Sequence, residues 1–313
     1  MKAIHFVLPI ALGVIGYLGY EIIKSESELP ADNASSGVVT PPTTPSSTLK
    51  TDSTKPIERV EDSKLNWRKR INTLRAMNLS QMNQSEVDEL FELMDRLTQA
   101  TTSDDLVVLN DVMGKIVQNG LKPDELTRRL TAIVQDTSLH DVVRDYAAQY
   151  LGGWIAPQQS NYPSETNLEN INTALQTLTE SVTDPANEDK SMAGTSLMML
   201  VYAQQSSVDL SSVKENLDTW LDQQISSSKS VTLRADAINA VGMLGDSKHL
   251  ASLRMIATDA MAHPSHRLTS ISSIGLLGSA EDASLLEDII SKDSKYKYAA
   301  SAALKRIKQS ASN

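Results

Sequence analysis

His263-Pro264-Ser265-His266 is the one histidine cluster of the chain, with Asp259 and His249 close to it in sequence. Imidazole together with carboxylate is a donor set that divalent metals accept. The spacing follows no metal-ligand pattern, and His263-Pro264 falls where a turn leads into a helix, so the expectation is a solvated helix start and no metal centre. Glu86 to Glu92 and Glu281 to Asp288 hold neighbouring carboxylates, but acid-base pairs need an enclosed site and one shifted pKa. On amphipathic helices the same residues form a solvated face. Trp67, Trp154 and Trp220 are far apart and are expected to fill gaps between helices. The alternative places a sugar platform at Trp154 and the loop Gln158 to Tyr162, which would make the chain a cell-envelope glycan-binding factor. No HExxH, GxSxG, P-loop or GxGxxG occurs, and 0 Cys removes thiolate metal sites, disulfides and cysteine nucleophiles. No catalytic residues, no metal and no cofactor are expected, and the chain reads as a non-enzyme.

The elements that must position these side chains are helices. Of 313 residues 40% are hydrophobic but only 4% aromatic, so the core is built from Leu, Ile, Val, Ala and Met, which suits packed helices better than β-sandwiches. Ser85-Glu86-Val87-Asp88 resembles a capping box that opens a helix with Val87, Leu90, Phe91 and Met94 on one stripe. Ser103 is placed to cap the next helix, which buries Leu106, Leu109, Val112, Met113 and Ile116 and stops at Gly120. Pro123 opens another, with Leu126, Leu130 and Ile133 at helical spacing. The net charge of −10 repels phosphate backbones, so no nucleic-acid partner is expected.

Ahead of these helices the composition changes twice. Residues 3–23 are almost wholly apolar and long enough, at about 1.5 Å per residue, to cross about 30 Å of hydrocarbon. No good small-x-small site follows, so residues 1–24 are read as an uncleaved signal anchor, single-pass in an inner membrane with the C-terminal domain in the periplasm. Secretion after signal cleavage is the alternative. Residues 25–60 are rich in Ser, Thr and Pro and are read as a disordered linker. A helical region over 61–138 and a repeat region over 139–313 complete the domain division.

The repeat is visible when Arg234-Ala235-Asp236-Ala237-Ile238-Asn239-Ala240-Val241-Gly242-Met243-Leu244-Gly245 is set over Arg267-Leu268-Thr269-Ser270-Ile271-Ser272-Ser273-Ile274-Gly275-Leu276-Leu277-Gly278. Leu253 then falls on Leu286 and Ile256 on Ile289, so the similarity covers a helix, its glycine stop and a return helix. Lys297 to Ile307 is a third copy, and Arg144 to Gly152 and the stretch after Lys190 are looser ones. Ala237, Ala240, Ser270, Ser273, Ala300 and Ala303 let helices approach, and Gly245 and Gly278 are expected to end the first helix in the left-handed conformation.

These residues, clearest over 230–307, resemble the HEAT-like repeat family (PBS-lyase HEAT-like). That resemblance implies an all-α fold: a right-handed α–α superhelix, or HEAT-like solenoid, that binds a protein or extended peptide on its concave side. An accessory role to a lyase-type enzyme is the remaining alternative. The resemblance also implies that the second helix of each hairpin lines the concave face. With Leu253, Ile256, Leu286 and Ile289 turned to the core, the outward residues are Arg254 and Met255 in one repeat and Glu287, Asp288 and Ser291 in the next. Arg254 beside Glu287 and Asp288 would form a mixed-charge ladder able to grip a peptide, with Met255 as an apolar contact. Gly275, inside a helix, is expected to tolerate or even welcome Ala.

Overall fold

A computed structural model of the chain describes residues 56–99, 102–161, 165–187 and 191–310. The anchor expected over 1–24 and the linker up to residue 55 lie outside the described residues, within which no helix is long and apolar enough to cross a membrane. The described residues contain helices and no strand. In chain order the helices are α1 (Pro56–Glu61), α2 (Trp67–Ala76), α3 (Gln84–Thr98), α4 (Ser103–Gln118), α5 (Pro123–Gln135), α6 (Asp141–Asn161) and α7 (Glu165–Thr183). Then follow α8 (Ser191–Gln205), α9 (Lys214–Ser227), α10 (Val231–Leu244), α11 (Leu250–Thr258), α12 (Pro264–Leu277), α13 (Ala283–Lys292) and α14 (Lys297–Ser310).

Local chemistry sets many of these boundaries. Asn83 and Glu86 close the capping box of α3, two residues ahead of the Ser85 start read from sequence, because the Asn83 side chain accepts the Glu86 N–H while Glu86 accepts the Asn83 N–H. Thr102, one residue before Ser103, caps α4. Gly120 does take a left-handed conformation after α4, and Pro123 does open α5. Helix α1 lies inside the stretch assigned to the linker and still buries Ile57 and Val60, so the folded part starts at least as early as Pro56. Two apolar side chains spaced for one helix face were too weak a signal beside the Ser/Thr/Pro run.

Neighbouring helices pair as α1/α2, α3/α4, α5/α6, α7/α8, α9/α10, α11/α12 and α13/α14. This shifts the phase of the hairpin expected from sequence. The return helix α11 packs on α12, which follows it, while its contact with α10 is slight at most. The pairs stack so that α2, α4, α6, α8, α10, α12 and α14 form one unbroken row, each against the next. In the other row α1 meets α3, α5 meets α7 and α7 meets α9, but α9, α11 and α13 have at most slight contact with one another.

Small residues explain the close row. A Cβ on Gly242 of α10 would sit 2.7 Å from the Ser273 Cβ on α12, and one on Gly275 of α12 would sit 2.6 Å from the Ala303 Cα on α14. Gly275 is therefore no free site for Ala, contrary to the sequence reading. Gly152 occupies the same place on α6 and faces Met199 of α8. The residue three further along is Ile155, which is buried, where α10 has its stop Gly245; α6 accordingly runs on to Asn161, into the stretch read from sequence as the loop Gln158 to Tyr162. Gly245 has the expected left-handed φ of 78°. Gly278 does not: its φ of −71° is open to any residue, and glycine is needed there because a Cβ would meet the Ile274 carbonyl and the Asp282 carboxylate.

The basic residue of the repeat also acquires a role. Nε of Arg144, Arg234 and Arg267 donates to the carbonyls of Val134, Ile225 and Ala257, each in the last turn of the preceding helix, at 3.0, 3.0 and 3.2 Å. A cation at a helix C-terminus satisfies an orphan carbonyl and complements the dipole. Arg70 does the same for Val60 at 2.6 Å, although no repeat signature is legible there.

Candidate functional site

Arg254, Met255, Glu287, Asp288 and Ser291 fall on α11 and α13 with Leu253, Ile256, Leu286 and Ile289 buried behind them, as the helical spacing requires. The mixed-charge ladder does not form. Arg254 instead makes a bidentate pair with Asp282, 2.6 Å from Nε and 3.0 Å from Nη2. Asp282 is 1% exposed and also accepts the Ser279 N–H at 3.0 Å. The Arg254 guanidinium, helped by that N–H, outweighs burial and holds the Asp282 carboxyl below the usual range. Arg254 is thus committed to the turn that starts α13. Glu287 pairs with Lys308 at 3.2 Å, Asp288 with Lys292 at 2.6 Å, and the Ser291 hydroxyl donates to the Asp288 carbonyl at 2.9 Å. Met255 is 69% exposed, and Glu287, Asp288 and Ser291 are exposed as well.

The close row presents a different outward face. Helix α8, SMAGTSLMMLVYAQQ, carries no charged side chain. The half-buried residues of α6, α8 and α10 include Tyr146, Tyr150, Met199, Tyr202, Asn239 and Met243, of which Met199 lies at the α6–α8 seam against Gly152. The Tyr150 hydroxyl is fixed by Asn110, 2.9 Å from both its carbonyl and its Oδ1. Two carboxylates flank the first turn of α8 within this face. Asp145 of α6 accepts the Ser191 hydroxyl through Oδ2, whereas its buried Oδ1 has no partner. Asp236 of α10 faces Gly194, where a Cβ would lie 2.8 Å from its Oδ2. Among the described residues Asp236 has neither hydrogen bond nor ion pair, and burial pushes its carboxyl up to about 6. Burial also raises Asp145, against the opposing hydrogen bonds from Ser191 and Thr195. Sequence reasoning missed this face because it took the helix containing Asp236 as the first of its hairpin and placed the binding residues on the second.

The other chemistry-bearing residues are spent on structure. His263 caps α12, its Nδ1 accepting the Ser265 N–H, and His266 Nε2 lies 2.9 Å from the Val231 carbonyl. His249 is buried with Nδ1 3.2 Å from Asp222, and burial lowers its pKa. Among the described residues no group of three His, Asp or Glu side chains is placed to hold a metal ion. Trp154 is 4% exposed and donates to the Thr127 hydroxyl at 3.2 Å, and Trp220 is 7% exposed. Neither ring lies open to solvent; the side chains of 158–162 lie outside the described residues. Glu86 closes its capping box and Glu92 lies 3.8 Å from Arg96, so the first acidic stretch stabilises α3. No protein-family model matches the chain, and no curated protein matches it significantly.

Proposed function

We propose that the chain is a non-enzymatic scaffold that binds a protein or extended peptide on the close-packed row of a HEAT-like, right-handed solenoid, tethered to the inner membrane through residues 3–23 with its helical domain in the periplasm. The observation that carries the binding reading is the tyrosine- and methionine-bearing face over α6, α8 and α10, whose central helix carries no charged side chain. Tyr and Met supply large contact area with adaptable shape, and such residues are enriched in protein interfaces. Geometry favours the same row. When successive helices are closer in one row than in the other, the stack bends toward the closer row, which becomes the inner surface. With the hairpins phased as α9/α10, α11/α12 and α13/α14, the second helices, which the family resemblance assigns to the concave side, are α10, α12 and α14.

Photo-crosslinking in the native envelope tests this. A photoreactive residue in place of Tyr202 is expected to capture a discrete partner, and the same residue in place of Met255 is expected to capture little. Equal capture at both sites, or capture at 255 alone, would move binding to the open row.

A further inference from the structure

Residues 139–230 contain twelve acidic side chains and four basic ones. Two of those four already have partners: Arg144 is 2% exposed and donates to Val134, and Lys214, on the surface, pairs with Asp218 at 2.9 Å. Several buried or half-buried carboxylates elsewhere are matched by cations, as Asp282 is by Arg254, Asp293 by Arg267 and Asp105 by Arg70. The close-packed face breaks that habit. Asp236 lies in the groove between α8 and α10 with no cation paired to it: α8 has no charge, and Arg234 of α10 itself and Arg267 of the adjoining α12 are turned to the Ile225 and Ala257 carbonyls. A half-buried carboxylate left unpaired weakens the fold, and an arriving cation would reverse that loss.

Resting on the binding reading above, we propose that the occupant of this face is an extended segment with a basic side chain between apolar ones. Its cation meets Asp236 in the α8–α10 groove, inside the acidic field of α6 to α9. Its apolar side chains lie on Tyr146, Met199, Tyr202 and Met243. Charge complementarity sets the sign, and the tyrosines and methionines supply contact on either side of the cation.

Three short synthetic peptides, alternating Leu with Lys, Leu with Gln and Leu with Glu, are titrated onto the full-length protein in nanodiscs by fluorescence anisotropy at low and high salt. The Leu/Lys peptide is expected to bind most tightly, and Asp236→Asn to weaken it by about tenfold, with the difference shrinking at high salt. Asp236→Ser serves as a second variant, and the thermal melt of each shows whether it is folded. Tyr202→Ala is expected to weaken the Leu/Lys and Leu/Gln peptides alike. Unchanged Leu/Lys affinity in folded Asp236→Asn and Asp236→Ser, or equal binding of the Leu/Glu peptide, would overturn the cationic assignment. If Leu/Gln binding still responds to Tyr202→Ala in that case, the face survives as a binding surface. If no peptide responds to Tyr202→Ala, the face itself is lost.

Discussion

The two rows of helices solve the same packing problem in opposite ways. In the close row Gly242 meets Ser273 and Gly275 meets Ala303, so backbones approach and the fit depends on absent side-chain atoms. In the open row α11 and α13 hardly touch, and the link between them is made by side chains that reach, as Arg254 reaches Asp282. The difference separates rigidity from tolerance. Substitutions in the close row act on geometry that cannot give, whereas most of the outward positions of the open row are solvated.

The largest effect should therefore come from adding one carbon to the close row. Gly275→Ala gains up to about 1 kcal/mol of helix propensity but places a Cβ against the Ala303 backbone, and overpacking of this kind costs about 1–3 kcal/mol. A net loss of stability in urea melts is expected, while Met255→Ala and Glu287→Gln in the open row should stay within about 0.5 kcal/mol of the parent. A neutral or stabilising Gly275→Ala would show that α12 and α14 are further apart than 2.6 Å implies.

How much of this was legible in the sequence depends on how far each signal reaches along the chain. Gly120, Pro123 and Gly245 act within one turn of their own helices, and the sequence reading placed all three correctly. Leu253 and Leu286 were recognised as core because the helical period is local too. Gly275 and Gly278 were misread for one shared reason: their constraint comes from atoms outside their own helix, the Ala303 backbone and the Asp282 carboxylate. Arg254 was assigned to Glu287 and Asp288 by repeat alignment, yet its partner sits in the turn just ahead of α13. The candidate site moved to the other row because a hairpin's phase, α11 with α12 and not with α10, is fixed by tertiary contact.

A smaller effect distinguishes the close row by pH. The Asp236 carboxyl is raised to about 6 in the folded chain, so the folded state binds this proton more tightly than the unfolded one. Its contribution favours folding at low pH and is lost as pH rises through about 6, the reverse of Asp282, whose lowered pKa contributes stability that is lost in acid. Asp236→Asn should accordingly raise stability at pH 7.5 by up to about 2 kcal/mol and change it little near pH 4. Chemical melts of parent and variant at the two pH values measure this, and an equal shift at both would mean that Asp236 is not the titrating group.

Whether the close row lies on the inside of the curve is open to direct measurement, since a chain with 0 Cys accepts unique pairs of spin labels. One pair, at Asn239 of α10 and Lys305 of α14, spans two steps of the close row; the other, at Gln223 of α9 and Asp288 of α13, spans two steps of the open row. Pulsed dipolar spectroscopy should give a clearly shorter distance for Asn239–Lys305 than for Gln223–Asp288. Equal distances, or a shorter one in the open row, would contradict an inner surface built from α10, α12 and α14 and would return the binding face to Met255 and its neighbours.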